Sequence, residues 1–184
     1  MTTPLGGREP DHGEIVQTLL DAAAVRFGDF TLASGAKSDV YIDVKRAWTD
    51  PRRLELIARA LAARVGTADR LAGMELGAVP LVVATALKTG HPYVVLRKAT
   101  KEHGTRQPFE GDIPSASRVL LIEDVSTTGG SLVQSVEIIR AAGGTVDRAL
   151  VVVDRESGAR ERLAAVGVRL EPLVTLSELR GAKR

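Results

Sequence analysis

Short runs of consecutive apolar residues alternate with segments of helical periodicity from residue 70 onward. Runs rich in valine, leucine and isoleucine are typical of strands buried on both faces, as in a parallel sheet covered by helices. The pattern predicts strands at 70–75, 93–97, 118–124, 149–155 and 169–176, separated by helices at 80–90, 131–144 and 159–167. We therefore expect an α/β fold with a doubly wound, mainly parallel sheet flanked by helices.

The first part of the chain predicts a smaller segment ahead of this sheet. Its elements are, in chain order, a helix at 14–26, strands at 30–35 and 39–46, and a helix at 51–66. The two strands surround a Ser34-Gly35 turn. Asp50 and Pro51 form a strong helix start, because Asp is a good N-cap and Pro suits the first helical position. We call residues 14–46 the hood segment.

Composition and charge are those of an ordinary globular protein. Hydrophobic residues make up 44% of the 184 residues, and we expect one domain over 1–184, with a flexible N-terminus at about 1–12. A net charge of +2 gives no general attraction to nucleic acid. The absence of cysteine excludes disulfides, thiolate metal sites and cysteine catalysis. Because the chain has no span-length apolar stretch and no apolar signal segment, we expect a cytoplasmic protein without a membrane partner.

One long stretch, 99–116, has no periodicity and begins within a cluster of basic residues. The cluster contains Arg97, Lys98, Lys101, His103 and Arg106, with Glu102 as its single acid. Long structureless loops inside compact domains are usually functional or disordered. A solvated basic surface is the simpler interpretation of such a cluster, and an anion-binding loop is the alternative.

The segment 119–136 has the features of a phosphate site. A hydrophobic strand leads into two acids, Glu123 and Asp124, and a loop of glycines and hydroxylated residues then opens a helix. Glycines let backbone N–H groups surround a phosphate, and the helix N-terminus adds partial positive charge. The paired carboxylates can accept hydrogen bonds from ribose hydroxyls at the carboxyl end of the strand.

A plain strand–turn–helix connection would account for the Thr-Thr-Gly-Gly loop taken alone. The hydrophobic strand, the acid pair and the helix occur together in the expected order, and this favours phosphate binding. The loop is not a Walker A motif, since Gly-Lys-Ser/Thr is absent, and the chain contains no G-x-G-x-x-G dinucleotide fingerprint.

This segment resembles the motif that binds 5-phosphoribosyl 1-diphosphate (PRPP) in type I phosphoribosyltransferases. The resemblance implies that the acids hold the ribose, with Asp124 also catalytic, and that the loop holds the 5′-phosphate. The implied PRPP-binding residues of this segment are Glu123, Asp124, Val125, Ser126, Thr127, Thr128, Gly129, Gly130 and Ser131. The family fold implied is an α/β sheet with a hood and a mobile catalytic loop.

Residues 97–111 are similar to the Arg-Lys-x-x-Lys-x-His-Gly signature of the orotate phosphoribosyltransferase family. This resemblance implies that Arg97, Lys98, Lys101 and His103 bind the diphosphate of PRPP, with Lys101 and His103 catalytic. In that family the mobile loop, here about 99–116, closes over the site of the neighbouring subunit. A homodimer with shared active sites is therefore implied.

Two further segments carry the same resemblance, and one departs from it. Residues 30–46 resemble the family's Phe-x-Leu-x-Ser-Gly-x-x-Ser segment, which implies that Lys37 lies near the diphosphate, although a plain hairpin would share the pattern. The Asp-Arg that ends the strand at 149–155 implies that Arg155, together with Thr127, binds orotate. At 73–82 many bacterial members carry a diphosphate-binding lysine where this chain has Gly77, and backbone N–H groups could serve instead.

The implied reaction is transfer of the phosphoribosyl group from PRPP to orotate, giving orotidine 5′-phosphate and diphosphate, in pyrimidine biosynthesis. Mg²⁺ is the implied cofactor, held mainly through PRPP rather than by a protein metal site. Two alternatives remain: a type I phosphoribosyltransferase for another base, and a regulatory protein of the same fold that senses PRPP and binds RNA. The intact basic loop and the lack of a second large basic cluster favour the enzyme without a nucleic-acid partner.

Overall fold

The computed structural model describes residues 8–31, 35, 37–98 and 107–182. The helices are α1 His12–Asp21, α2 Lys45–Trp48, α3 Pro51–Ala62, α4 Val79–Thr89, α5 Gly130–Ala141, α6 Ala159–Ala164 and α7 Leu176–Ala182. The strands are β1 Val25–Thr31, β2 Lys37–Ile42, β3 Arg70–Met74, β4 Tyr93–Leu96, β5 Phe109–Glu110, β6 Val119–Ser126, β7 Arg148–Asp154 and β8 Arg169–Thr175.

The main sheet has six strands in the order β5-β4-β3-β6-β7-β8. All neighbours are parallel except the short edge strand β5, which pairs antiparallel with β4. The chain runs from β3 outward to β4 and β5 on one side, and from β6 outward to β7 and β8 on the other. The point at which the strand order reverses therefore lies between β3 and β6.

Both faces of this sheet are buried, which confirms the predicted doubly wound α/β fold. In β6, Leu120 and Ile122 belong to one apolar core, whereas Val119 and Leu121 belong to another. The first core contains buried residues of α1, α3 and α4, and the second contains those of α5 and α6. Strands that are covered on both sides need apolar residues at consecutive positions, and this explains the continuous hydrophobic runs in the sequence.

In the hood segment, β1 and β2 form an antiparallel hairpin. The predicted helix at 14–26 is too long, because α1 ends at Asp21 and Val25 already pairs with Ile42 in the hairpin. Ala23 adopts a positive φ of 50° at the change of direction. The apolar run that follows α1 continued the helical pattern in the sequence, but it is buried as the start of a strand. Such short runs do not distinguish helix from strand.

The predicted strand at 39–46 is also too long. Strand β2 ends at Ile42, and the helical turn α2 follows. Val44 and Ala47 are both fully buried, and their spacing of three residues places them on one side of a helical turn.

The sequence pattern also missed two elements. Strand β5 lies within the stretch 99–116, whose first eight residues are outside the described chain, and it pairs with β4 at Val95 and Leu96. Helix α7 follows β8 directly and buries Leu179. No helix in the described ranges has the length and apolar character required to cross a membrane.

Candidate active site

A cavity of about 580 Å³ opens at the carboxyl ends of β3 and β6. This is the point of strand-order reversal, where the crevice between diverging connections provides ligand sites in open α/β sheets. The residues that line it are Lys45, Met74, Glu75, Leu76, Gly77, Lys98, Glu123, Asp124, Val125, Ser126, Thr127, Thr128, Gly129, Gly130, Ser131 and Leu132. All nine residues from Glu123 to Ser131 that were predicted to bind PRPP are therefore brought together at one cavity.

The loop between β6 and α5 is open to solvent and shaped by glycine. Thr127, Thr128 and Ser131 are exposed at its rim. Gly129 has a left-handed φ of 78°, and a Cβ there would lie 3.0 Å from the Cα of Ala159. Both the backbone conformation and the close approach of α6 therefore require glycine at this position. No side chain caps the N-terminus of α5, so its first backbone N–H groups are open to an anion.

The two acids differ in environment. The Glu123 side chain is buried, whereas Asp124 is half-buried at the cavity wall. Burial, and then the adjacent Asp124 carboxylate, raise the pKa of Glu123 to about 8, and nearby Lys98 opposes that shift. A ligand that brings positive charge or hydroxyl donors to the pair would favour the charged form of Glu123.

A buried polar contact that sequence reasoning missed fixes the ends of β6 and β7. Ser126 donates a hydrogen bond of 2.8 Å from its hydroxyl to Oδ1 of Asp154, which is itself buried. The same carboxylate accepts from the backbone N–H of Glu156 at 3.0 Å. The hydroxyl proton of Ser126 is thus directed to Asp154, away from any ligand, although Ser126 itself lines the cavity. Asp154 was visible in sequence only as the neighbour of Arg155.

Arg155 follows β7 and lies beside the phosphate loop. Its backbone N–H donates to the carbonyl of Ser126 at 3.0 Å. Within the described chain, its buried Nε atom has no hydrogen-bond partner. A buried guanidinium nitrogen without a partner is costly, so Arg155 carries an unmet donor next to the loop. Arg155 adjoins the cavity through Ser126 but is not among the residues that line it.

The basic residues that were predicted to bind the diphosphate differ in their position relative to the cavity. Lys98 lines the cavity, and its backbone N–H donates to Glu75 at 3.1 Å. Arg97 instead forms an ion pair with Glu110 of β5. Lys37 donates to the hydroxyl of Thr31 across the hairpin at 2.8 Å, away from the cavity. Lys101 and His103 lie outside the described residues, so their predicted roles remain predictions.

Two further residues lie at the cavity: Lys45, which was not predicted as a site residue, and Gly77, for which the sequence suggested only a backbone contact to diphosphate. Lys45 of α2 lines it, and its Nζ lies 2.8 Å from Oδ1 of Asp43. Gly77 lies against Asp124: a Cβ at position 77 would be 2.5 Å from Oδ2 of that carboxylate. Neither feature has a local sequence signal, because each depends on segments far apart in the chain.

Comparison with known proteins agrees with this geometry. Residues 48–172 match the phosphoribosyl transferase domain family, a match that contains the strand-order reversal and the whole loop after β6. The fold and the cavity thus define the chain as a phosphoribosyltransferase in class.

Comparison with individual proteins identifies the family within this class. The orotate phosphoribosyltransferase of Natronomonas pharaonis is 52% identical over 166 residues, covering 90% of this chain and 95% of that protein. The crystal structure of orotate phosphoribosyltransferase from Aeropyrum pernix has a TM-score of 0.82 at 37% identity and covers 92% of this chain and 97% of that one. The Mycobacterium tuberculosis H37Rv enzyme in complex with PRPP has a TM-score of 0.77 at 32% identity, covering 93% and 99%. This chain belongs to the orotate phosphoribosyltransferase family.

Proposed function

We propose that this protein transfers the 5-phosphoribosyl group of PRPP to orotate, giving orotidine 5′-phosphate and diphosphate, in the pathway to UMP. The observation that carries the proposal is the unit of strand, acid pair and phosphate loop from Glu123 to Ser131, which lines one cavity where the strand order reverses. A relative with 32% identity has been crystallised with PRPP, the ligand that this unit suits.

The proposed chemistry is electrostatic and positional. The ring nitrogen of orotate attacks the anomeric carbon of PRPP as the bond to diphosphate breaks, and the proton of that nitrogen leaves to the diphosphate or to water. Positive charge develops on the ribose and negative charge on the leaving group. Glu123 and Asp124 accept hydrogen bonds from the ribose hydroxyls, and the loop N–H groups hold the 5′-phosphate. Lys98, together with the predicted contacts of Arg97, Lys37, Lys101 and His103, neutralises the diphosphate. No protein nucleophile is required, because the substrates supply both reacting atoms.

Arg155 and Thr127 are proposed to hold orotate. The guanidinium group presents parallel N–H donors that match the two oxygens of a carboxylate. The exposed hydroxyl of Thr127 at the loop rim offers a second polar contact. Because Arg155 follows the strand next to β6, the base would lie beside the ribose rather than beyond the phosphate.

Mg²⁺ is the proposed cofactor, and the residues at the cavity fit a metal ion held mainly through the substrate. Within the described ranges, no cluster of three or more His, Cys, Asp or Glu residues could hold a metal. Glu123 and Asp124 nevertheless offer adjacent carboxylates, and Mg²⁺ typically takes one or two carboxylates and completes its shell with phosphate oxygens and water. When bound, Mg²⁺ supplies positive charge to the diphosphate and the ribose hydroxyls.

We also propose a homodimer in which the part of the predicted mobile loop that carries Lys101 and His103 reaches the partner's cavity. Two large apolar side chains, Leu76 before α4 and Leu87 near its end, are 69% and 79% exposed. Burial of such side chains between two copies would be favourable. A two-fold interface would then give two equivalent sites.

The activity is tested by diphosphate release from PRPP. We expect release to require both orotate and Mg²⁺, to stop with EDTA, and to be absent with uracil, adenine or hypoxanthine. Release with one of these other bases and not with orotate would favour a phosphoribosyltransferase of different specificity. PRPP binding without release, in a protein that also retains RNA, would favour the regulatory alternative.

Replacement of Gly77 by alanine is expected to weaken PRPP binding about tenfold while the protein stays folded. The added Cβ would lie 2.5 Å from the Asp124 carboxylate, which must then rotate away from its place on the cavity wall. A carboxylate can move without disturbing the core, so the loss should appear in ligand affinity and correspond to about 1.4 kcal/mol.

Titration calorimetry with PRPP measures this effect. Gly181→Ala is the matched control, because a Cβ at Gly181 in α7 has nothing within 4 Å. Equal PRPP affinity in Gly77→Ala and Gly181→Ala would mean that the position of Asp124 seen here is unimportant for binding.

A further inference from the structure

The cavity contains few cations for a ligand as negative as a diphosphate. In the part of the chain that the structure describes, its lining includes two basic residues, Lys45 and Lys98, and three acidic ones, Glu75, Glu123 and Asp124. Arg97, although adjacent to Lys98, is paired with a carboxylate on β5. Lys45 therefore supplies one of the two positive charges on the described cavity wall.

The turn between β3 and α4 cannot supply another cation in this chain. Its residues are Glu75, Leu76, Gly77 and Ala78, none of which is basic. A side chain at position 77 would also collide with Asp124, since even its first carbon would lie 2.5 Å from Oδ2 and 2.7 Å from Cγ of that carboxylate. The absence of a side chain at Gly77 makes room for the Asp124 carboxylate. A cation on this side of the cavity must therefore come from another segment.

Lys45 is held in position to provide that cation. Val44 and Ala47, both fully buried, fix the turn α2 against the core. The Nζ atom lies 2.8 Å from Asp43, whose side chain is 22% exposed, while the lysine side chain remains 53% exposed. The ammonium group is thus paired with Asp43, and the side chain, which lines the cavity, remains partly exposed. The close contact with the Asp43 carboxylate, with further attraction from Asp124, raises the pKa of Lys45 above its ordinary value against the effect of burial.

We propose that Lys45 is a further substrate-binding residue, and that its ammonium group binds the diphosphate of PRPP in the cavity that Lys45, Gly77 and Asp124 line together. The assignment rests on the proposed function, since it identifies the anion as the leaving group of that reaction. Asp43 then has the role of a positioning residue that keeps the flexible lysine side chain at the cavity.

The test compares ligands that contain different parts of PRPP. Affinities of Lys45→Met for PRPP, inorganic diphosphate and ribose 5-phosphate are measured by calorimetry with Mg²⁺ present. We expect affinity for PRPP and for diphosphate to fall by about tenfold to a hundredfold, as for a lost charge-assisted hydrogen bond, and affinity for ribose 5-phosphate to stay near that of the wild type. Lys45→Arg should keep most of the diphosphate affinity, because arginine also binds phosphate oxygens.

Lys88→Met is the matched control. Its Nζ also lies 2.8 Å from a carboxylate, that of Glu55, but Lys88 does not line the cavity. We expect this variant to bind diphosphate as the wild type does.

The outcomes separate the two proposals. Wild-type protein that fails to bind PRPP would overturn the proposed function, and the assignment of Lys45 with it. Wild-type protein that binds PRPP, with unchanged diphosphate affinity in Lys45→Met, would overturn the assignment alone. An equal loss for diphosphate and ribose 5-phosphate would also overturn it, because Lys45 would then act by orienting Asp124 rather than by binding the leaving group.

Discussion

Replacement of Arg155 by alanine is expected to lower kcat/KM for orotate by about thirtyfold or more, with PRPP affinity nearly unchanged. The buried Nε of Arg155 has no hydrogen-bond partner among the described residues, and the backbone of Arg155 is bonded to Ser126, which lines the cavity. Truncation of one member of a hydrogen-bonded charge pair typically costs about 2–5 kcal/mol, because the other charge is left without its partner. Here the unpaired charge would be the orotate carboxylate.

Steady-state kinetics with each substrate varied, together with PRPP calorimetry, measure the effect. Arg169→Ala is a suitable control. Arg169 pairs with Glu171 and begins β8, so it lies at the amino ends of the strands, whereas Arg155 follows the carboxyl end of β7. A similar loss for orotate and PRPP in Arg155→Ala would indicate instead that Arg155 supports the end of β7 and the neighbouring loop.

Mixing two inactive variants, Lys101→Ala and Asp124→Asn, is expected to restore activity. If Lys101 acts in the partner's site and Asp124 in its own, a mixed dimer has one site with both defects and one with neither. Random exchange makes about half of the dimers mixed, so about a quarter of wild-type activity should return. The recovered rate is measured after subunit exchange has been verified with differently tagged chains.

A chain that carries both substitutions provides the complementary control. Mixed in equal amounts with wild-type protein, it should reduce activity to about a quarter if the loop acts in the partner, because both sites of each mixed dimer are defective. If the loop acts within its own subunit, about half of the activity should remain. Exchange without recovery in the first experiment, and half activity in the second, would contradict the shared-site proposal.

Much of the fold and the centre of the site could be predicted from the sequence because their signals are local. The continuous apolar runs from residue 70 onward predicted buried parallel strands, and both faces of β6 are indeed covered. The acid pair, the glycine loop and the start of α5 are contiguous in sequence, so their meeting requires only that a strand be followed by a helix.

Boundaries in the hood segment were harder to predict for a physical reason. A short apolar run can be buried as a strand or as a helical turn, and its pattern does not distinguish them. Val25 became part of β1 because it pairs with Ile42, and the chain after β2 became a helical turn because the core covers Val44 and Ala47. Pairing and burial of this kind depend on residues outside the run itself.

The sequence by itself determined the α/β class, the phosphate loop and the chemical identity of the groups around it. Only the tertiary structure decided which distant residues meet there. Lys45 from α2, Gly77 after β3 and Asp124 on β6 share one cavity because the strand order reverses between β3 and β6. The same arrangement directs Arg97 to Glu110 on an edge strand that has no periodic signal. Sheet order is set by packing of the whole core, so contacts between these segments cannot be derived from the spacing of residues within any one of them.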